Sequence, residues 1–268
     1  MTRIVNNCVA LVCLCLFWGQ SLRAADASHS EQIKWGNESV FNEEHNTLGL
    51  FSGVLGGQIV LAGGTSDDYS RWGRNAVCLS ENAGFALYEE LLSKPLAYGA
   101  SITLSDGILC IGGRDSSQCY KDVFLVTMQQ GKLNVSEDWP PLPFPLSNAA
   151  GALLDNKVYL FGGRKSVSPS RLSDSFFVLD LSNKSRGWKE LPGYPGSVRE
   201  DAILVVQNNG VSPCLYLLGG QTETEEGLSS CLTDGYVYNP QLDRWSPLGL
   251  DFPKGICAAV ASGANHIL

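Results

Sequence analysis

The sequence predicts an all-β protein in which a four-stranded antiparallel unit repeats around a central axis, as in a β-propeller. Four apolar runs each end in a Gly-Gly pair, the second glycines being Gly64, Gly113, Gly163 and Gly220. Glycine is abundant, at 29 of 268 residues, which indicates many tight turns between short strands. The hydrophobic fraction of 44% and the charged fraction of 17% are typical of a folded core. These observations favour many short strands over helices.

Each repeat supplies four strands in order, which we call a to d. Strand b is the apolar run that ends in Gly-Gly, and the pairs recur about 50 residues apart, the period of a kelch blade. Gly-Gly is expected there because the backbone of the next blade leaves no room for a Cβ atom. Strand a precedes each pair, in residues 97–104, 147–154 and 199–206. Strand c follows it, in residues 122–126, 174–181 and 234–240.

A tryptophan before a proline-containing turn marks strand d in three repeats, at Trp139, Trp188 and Trp245. We interpret these tryptophans as core residues that pack between blades, not as ligand-binding residues.

The repeat count predicts an incomplete ring. Four units are complete, and a fifth begins with strand a at 255–263, while residues 32–35 resemble an outermost strand without partners. We expect a six-bladed kelch-type propeller with about four and a half blades present. Its domain would be 28–268, incomplete at the C-terminus.

Residues 1–27 are predicted to be a cleaved signal peptide. Arg3 is basic, residues 8–18 are apolar but too short to span a bilayer, and Ala25-Asp26-Ala27 fits a cleavage site. A lipoprotein is less favoured, because no small-residue run precedes Cys8 or Cys15. We therefore expect a periplasmic or secreted protein with no membrane span.

The charge and the histidine pattern exclude two classes of partner. A net charge of −8 repels phosphate backbones, so nucleic acid is not expected as a partner. The three histidines, His29, His45 and His266, are too scattered for a metal site, and we expect no metal and no cofactor.

Six cysteines follow residue 27, and they allow either three disulfides or free thiols. Free buried thiols are favoured, because Cys110 and Cys214 lie inside apolar runs. The six are Cys78, Cys110, Cys119, Cys214, Cys231 and Cys257.

A candidate site follows from the blade topology, since strand a begins and strand b ends on the same rim. The candidates that precede strand a are Tyr98, Asn148, Arg199 and Glu200. Those that follow Gly-Gly are Arg114, Arg164 and Gln221. Because guanidinium binds carboxylate bidentately, arginines in an acidic protein favour a carboxylate-bearing ligand. Equally, these arginines could pair with nearby acids such as Asp115, Asp122 or Asp201.

Residues 194–248 resemble a blade of the N-acetylneuraminate epimerase (sialic acid mutarotase) family. They carry Pro-Gly-x-x-Arg-Glu, then Gly-Gly, then Tyr-Asn-Pro-x-x-x-x-Trp. Residues 92–113 and 49–64 are similar to other blades of that family, in the order of its cyclically permuted branch. The resemblance implies an isomerase that interconverts the α and β anomers of N-acetylneuraminate, a sugar acid, by acid/base ring opening without a cofactor.

The resemblance also implies roles for the candidate residues. The family's proton-accepting glutamate would fall beyond Leu268, so we expect this chain alone to be a poor catalyst, with Glu200 in a supporting role. Arg199, Arg164, Arg114, Tyr98 and Asn148 would bind substrate. The family has a basic residue directly before Ala-Tyr-Gly, where this chain has Leu96, with Lys94 two positions earlier.

The alternative is a non-catalytic kelch propeller that binds glycan or protein. A copper radical oxidase is disfavoured by the few histidines, and a sialidase by the absence of a Ser-x-Asp-x-Gly-x-x-Trp motif.

Overall fold

A computed structural model describes residues 48–80, 84–224, 228–249 and 251–256 of the chain. These residues belong to one compact unit, Asn46–Leu268. The predicted signal peptide and the predicted outer strand at 32–35 lie outside the described residues, as does most of the fifth unit. Within those ranges, no helix combines the length and the hydrophobicity needed to cross a bilayer.

The described residues form four antiparallel four-stranded sheets, which confirms the four complete blades. Blade 1 consists of β1 (Phe51–Leu55), β2 (Gln58–Ala62), β3 (Ala76–Ser80) and β4 (Gly84–Tyr88). Blade 2 consists of β5 (Ala100–Thr103), β6 (Ile108–Ile111), β7 (Val123–Gln129) and β8 (Lys132–Ser136). Blade 3 consists of β9 (Ala150–Leu154), β10 (Lys157–Phe161), β13 (Phe176–Asp180) and β14 (Lys189–Glu190). Blade 4 consists of β15 (Ile203–Asn208), β16 (Pro213–Leu218), β19 (Gly235–Asn239) and β20 (Arg244–Pro247).

Short elements decorate the loops of blades 3 and 4. Two-stranded ribbons join strands b and c, and one 3-10 helix joins strands c and d of blade 3. They are β11 (Arg164–Ser166) with β12 (Arg171–Leu172), β17 (Gln221–Glu223) with β18 (Ser229–Cys231), and η1 (Leu181–Arg186).

The innermost strands β1, β5, β9 and β15 pack side by side in chain order, as in a propeller. An apolar core fills each of the three interfaces between consecutive blades. Trp139 and Trp188 pack against the core between blades 2 and 3, and Trp245 lies in the core between blades 3 and 4. The predicted packing role of the three tryptophans is confirmed, although only Trp245 lies within a strand.

The Gly-Gly pairs join neighbouring blades through the backbone. Gly112 has a φ of 62°, and a Cβ atom there would lie 2.2 Å from the carbonyl oxygen of Leu146. Leu146 lies in the segment that connects blade 2 to blade 3. The N–H of Gly113 donates to that same oxygen at 2.8 Å. The expected close backbone approach is therefore present, and a side chain at Gly112 would break it.

The cysteine expectation holds for four thiols and is wrong for one. Cys78, Cys110, Cys119 and Cys214 are free and buried. Cys231 is disulfide-bonded. The difference is physical, because Cys231 lies on the exposed ribbon strand β18 instead of in an apolar run.

Candidate functional site

Four equivalent residues, each two positions before the start of strand a, form the rim of the blades. We call Gly49, Tyr98, Asn148 and Asp201 the rim chain. All four have left-handed backbone, with φ between 52° and 64°. The N–H of each of the last three donates to the carbonyl of the preceding member, at 2.7 Å for Tyr98, 2.7 Å for Asn148 and 3.0 Å for Asp201. This backbone conformation also explains why each strand a begins later than the sequence indicated.

The residue before each rim-chain member pairs with the residue after Gly-Gly. Ala97 bridges Arg114, Ser147 bridges Arg164, and Glu200 bridges Gln221. The backbone bonds of these pairs are 2.8 to 2.9 Å long. The topology therefore brings Arg114 and Arg164 to the rim, as the sequence predicted.

Arg114 is held by aromatic rings. Its guanidinium carbon lies 4.7 Å from the ring centre of Tyr98 and 5.0 Å from that of Trp72. It forms no ion pair with any described residue, and its Nη1 donates a long hydrogen bond of 3.4 Å to the Asp115 carbonyl. The aromatic faces thus orient a cation that has no ion-pair partner in the part of the chain that the structure describes.

Tyr69 and Trp72 complete an aromatic group with Tyr98, with ring centres 6.2 to 6.5 Å apart. The Trp72 indole N–H donates to the Tyr69 carbonyl at 3.1 Å. Asp68 accepts hydrogen bonds from Ser66 and Ser70 within this loop. These bonds lower the pKa of its carboxyl to about 2. Sequence reasoning missed Tyr69 and Trp72, since no repeated aromatic residue marks this loop. Trp72 bridges Thr65, and the equivalent places in the other repeats are Cys119, Leu172 and Cys231.

Arg164 is paired internally. Its Nε donates to Glu200 Oε2 at 2.8 Å, its Nη2 bonds Oε1 of the same carboxylate, and Glu223 lies 3.5 Å away. The hydrogen bonds to Glu200 raise the pKa of the Arg164 guanidinium. The structure therefore joins two predicted site residues to each other, and Glu200 neutralises the cation beside it.

Arg199 lies in the core and not on the rim, which corrects its expected position. Its carbonyl accepts the N–H of Gly163, as the carbonyls of Leu96 and Leu146 accept the corresponding glycine N–H groups. Arg199 thus occupies a position that is a buried leucine in the preceding repeats, and it is 0% exposed. It is paired with Asp234, at 2.7 and 2.9 Å. A substrate carboxylate would have to displace this buried pair.

Asn148 and Asp201 meet through their side chains. Asn148 Nδ2 donates to Asp201 Oδ1 at 2.9 Å. Burial raises the pKa of the Asp201 carboxyl to about 6, and the nearby Glu200 adds to this, while Asn148, Arg164 and Arg114 oppose it. Sequence reasoning considered Asp201 only as a partner for arginine. Alignment of Ala97-Tyr98-Gly99 with Glu200-Asp201-Ala202 would have placed Asp201, not Glu200, beside Tyr98 and Asn148 in the repeat.

Lys94 lies at a different site. Its Nζ contacts Asp122 Oδ2 at 2.8 Å and lies 4.7 Å from the Tyr120 ring centre. Together with Leu92 and Trp139 it lines a separate cavity of about 250 Å³. Lys94 therefore does not take the place at the rim of the basic residue that the family has directly before Ala-Tyr-Gly. In the described ranges, no group of three His, Cys, Asp or Glu side chains could hold a metal ion.

Comparison with known proteins decides the family resemblance. Residues 139–267 match the family model described as N-acetylneuraminate epimerase. The resemblance to this family is confirmed. The matched region includes the rim residues of blades 3 and 4, among them Asn148, Arg164 and Asp201, but not Tyr98 or Arg114.

Curated relatives of the chain carry the same description. An N-acetylneuraminate epimerase of Yersinia pestis (strain Pestoides F) is 30% identical over 129 residues, which are 47% of this chain and 30% of the relative. One from Haemophilus influenzae (strain PittEE) is 31% identical over 131 residues, 49% of this chain and 32% of the relative. A kelch domain-containing protein of Vibrio cholerae is 31% identical over 121 residues, 45% of this chain and 31% of the relative. The matched segment thus spans about a third of the length of these relatives.

A solved structure shares the fold. The chain is similar to the protein in "Structure of YjhT", with a TM-score of 0.61 and 14% identity, over 77% of this chain and 71% of that one. At this identity the likeness shows the propeller fold alone.

Proposed function

We propose that the protein interconverts the α and β anomers of N-acetylneuraminate by acid/base opening and closing of the sugar ring. The similarity of residues 139–267 to the N-acetylneuraminate epimerase family supports this assignment. The single observation that carries it is Arg114, a rim cation without an acidic partner among the described residues.

Arg114 fits the part of the substrate that is always charged. N-acetylneuraminate carries a carboxylate on its anomeric carbon, and a guanidinium binds a carboxylate with two parallel hydrogen bonds. Trp72 and Tyr98 fix the guanidinium plane beforehand, which lowers the entropic cost of binding. Binding the carboxylate at Arg114 would place the anomeric carbon beside the rim chain.

The other rim residues fit supporting roles. Glu200 holds Arg164 by two hydrogen bonds, so this pair presents a fixed polar surface without net charge. Asn148 supplies an amide that can orient a sugar hydroxyl or a carboxylate. Ring opening needs proton transfer at the anomeric hydroxyl and the ring oxygen, which side chains can supply.

Ligand binding by variants tests the proposal. Saturation-transfer NMR would measure the binding of N-acetylneuraminate to the wild type, to Arg114→Gln and to Arg244→Gln, which alters an exposed arginine on strand d of blade 4. We expect Arg114→Gln to weaken binding at least about tenfold, since it removes a charge-assisted bidentate contact. Arg244→Gln should bind as the wild type does.

Exchange between the anomers, followed on the same samples, separates the two function classes. The rate is compared with that in buffer at high protein concentration, so that slow exchange is also detected. If binding depends on Arg114 but exchange is no faster than in buffer, the protein is a glycan-binding propeller and not an isomerase. Binding that is equal in both arginine variants would overturn the site.

A further inference from the structure

We propose that Asp201 is the residue that carries the proton between the anomeric hydroxyl and the ring oxygen of the sugar. The inference rests on the proposed function and adds a catalytic residue to the same site. The resemblance places a proton-accepting glutamate elsewhere, whereas Asp201 is inferred from the rim of this chain.

Asp201 differs from the other acids at this rim because it is not committed to a cation. Glu200 binds Arg164 with both carboxylate oxygens, and Glu223 lies 3.5 Å from the same arginine. Asp115 accepts hydrogen bonds from Tyr120, Ser117 and Gln118 in its own loop. Asp201 accepts one side-chain bond, on Oδ1 from Asn148. Its Oδ2 has no hydrogen-bond partner among the described residues.

The position of Asp201 is fixed by the backbone. Its N–H donates to the Asn148 carbonyl at 3.0 Å, and its φ of 52° continues the left-handed series of the rim chain. The Asn148 amide then orients the carboxylate from the side chain as well. A proton-transfer group held by two bonds to one neighbour is pre-organised for its task.

The charges that face Asp201 come from three blades and keep it able to exchange protons near neutrality. Glu200 raises its pKa, while Arg164 and Arg114 lower it. Burial raises the pKa of the nearby Tyr98 hydroxyl, and Asp201 adds to that rise. Burial is the largest influence on Asp201, and the resulting pKa of about 6 lies close to physiological pH. A base with such a pKa is ionised in most molecules at pH 7 and still returns its proton readily.

The proton balance of the step involves Asp201 and the sugar alone. Oδ2 takes the proton of the anomeric hydroxyl, the bond between the anomeric carbon and the ring oxygen breaks, and its electron pair moves to the ring oxygen. The anomeric oxygen becomes a ketone oxygen. Protonated Asp201 then gives the same proton to the ring oxygen, which was bonded to the same carbon and lies within reach. Rotation about the adjacent carbon–carbon bond and the reverse steps yield the other anomer, with the carboxylate regenerated.

Asp201→Asn is a suitable variant, because asparagine occupies the equivalent position in blade 3 with the same left-handed backbone. Asp155→Asn is the matched control, since Asp155 has a φ of 49° but lies exposed at a hairpin turn. Asp201→Gly is a second variant, because glycine occupies the equivalent position in blade 1, at Gly49. Anomer exchange by NMR and binding of N-acetylneuraminate are measured for all four proteins between pH 4.5 and 8.

We expect exchange with both Asp201 variants to fall to the rate in buffer, with affinity within about threefold of the wild type. Wild-type exchange should rise with pH around a midpoint near 6, and this inflection should vanish in Asp201→Asn. Exchange by Asp201→Asn at the wild-type rate would overturn the role of Asp201 and leave the proposed function intact. A loss of binding in both variants would make Asp201 a binding residue instead. Absence of exchange in the wild type would overturn both.

Discussion

Arg199 and Asp234 form a buried ion pair, with Arg199 Nη1 and Nη2 lying 2.7 and 2.9 Å from the two carboxylate oxygens of Asp234. The guanidinium also donates to the Gly219 carbonyl at 2.7 Å and to the Tyr194 hydroxyl at 2.8 Å. The rings of Tyr194 and Tyr236 lie 5.1 and 5.5 Å from its carbon. This arginine therefore joins the segment before strand a of blade 4 to the end of strand b and the start of strand c.

We expect Asp234→Ala to lower the free energy of unfolding by about 3 kcal/mol, because it leaves a fully buried arginine without its counter-charge. Urea unfolding followed by tryptophan fluorescence measures the change. Asp174→Ala, at an exposed aspartate before strand c of blade 3, is the control and should change stability little. A loss as small as that of the control would show that the pair does not support the fold.

Glu200→Gln should free Arg164. The substitution removes the carboxylate that both Nε and Nη2 contact, and Glu223, at 3.5 Å, would remain as an ion-pair partner. We expect tighter binding of N-acetylneuraminate, by several-fold, together with a loss of about 1 to 3 kcal/mol in unfolding free energy. Titration calorimetry and urea unfolding would check the two effects. Weaker binding of the sugar acid would mean that Glu200 itself contacts the ligand.

The raised pKa of Asp201 implies a pH dependence of stability. In the unfolded chain this carboxyl ionises near 3.8, whereas in the folded protein it ionises near 6. Between these values the unfolded state binds fewer protons, so the contribution of Asp201 to stability falls as pH rises and is fully lost above about pH 6. Relative to Asp201→Asn, the wild type should lose about 2 to 3 kcal/mol between pH 3.5 and pH 7.

Parallel urea titrations of the two proteins at four pH values would measure this difference. The comparison removes the contributions of all other carboxyl groups. If the difference in unfolding free energy between the two proteins does not change with pH, the pKa of Asp201 is the same in the folded and the unfolded protein.

Export remains a prediction from residues 1–27. Expression with a secretory host should yield a mature protein that begins near Ser28, because Ala25-Asp26-Ala27 fits a cleavage site. N-terminal sequencing of the product decides it. Recovery of a protein that retains Met1 would contradict the export proposal.

The blades were predictable because the Gly-Gly requirement is local. A Cβ atom on the first glycine would meet the backbone of the adjoining chain, so the pair appears in every repeat and fixes the period. The beginnings of strand a were not predictable to the residue. Tyr98 has left-handed backbone, which few tyrosines adopt, and nothing in its immediate sequence marks it.

The candidate site was predictable in its topology and less so in its pairings. The bridge of Ala97 to Arg114 follows from where strands a and b meet, so the arginine was found. Arg199 was wrongly assigned to the rim. Only the hydrogen bonds of the Gly-Gly pairs show that Arg199 is equivalent to the buried Leu96 and Leu146 of the preceding repeats. The contact of Arg164 with Glu200 joins residues of different repeats, which sequence spacing alone cannot reveal.

The rate at which the protein exchanges the anomers of N-acetylneuraminate tests the account most directly. Two-dimensional exchange NMR would compare wild type, Arg114→Gln and buffer at equal sugar concentration and pH 7. We expect exchange in the wild type above the rate in buffer, and a return to that rate in Arg114→Gln, because the cation at Tyr98 and Trp72 positions the substrate. Equal rates in the wild type and in buffer would contradict the account.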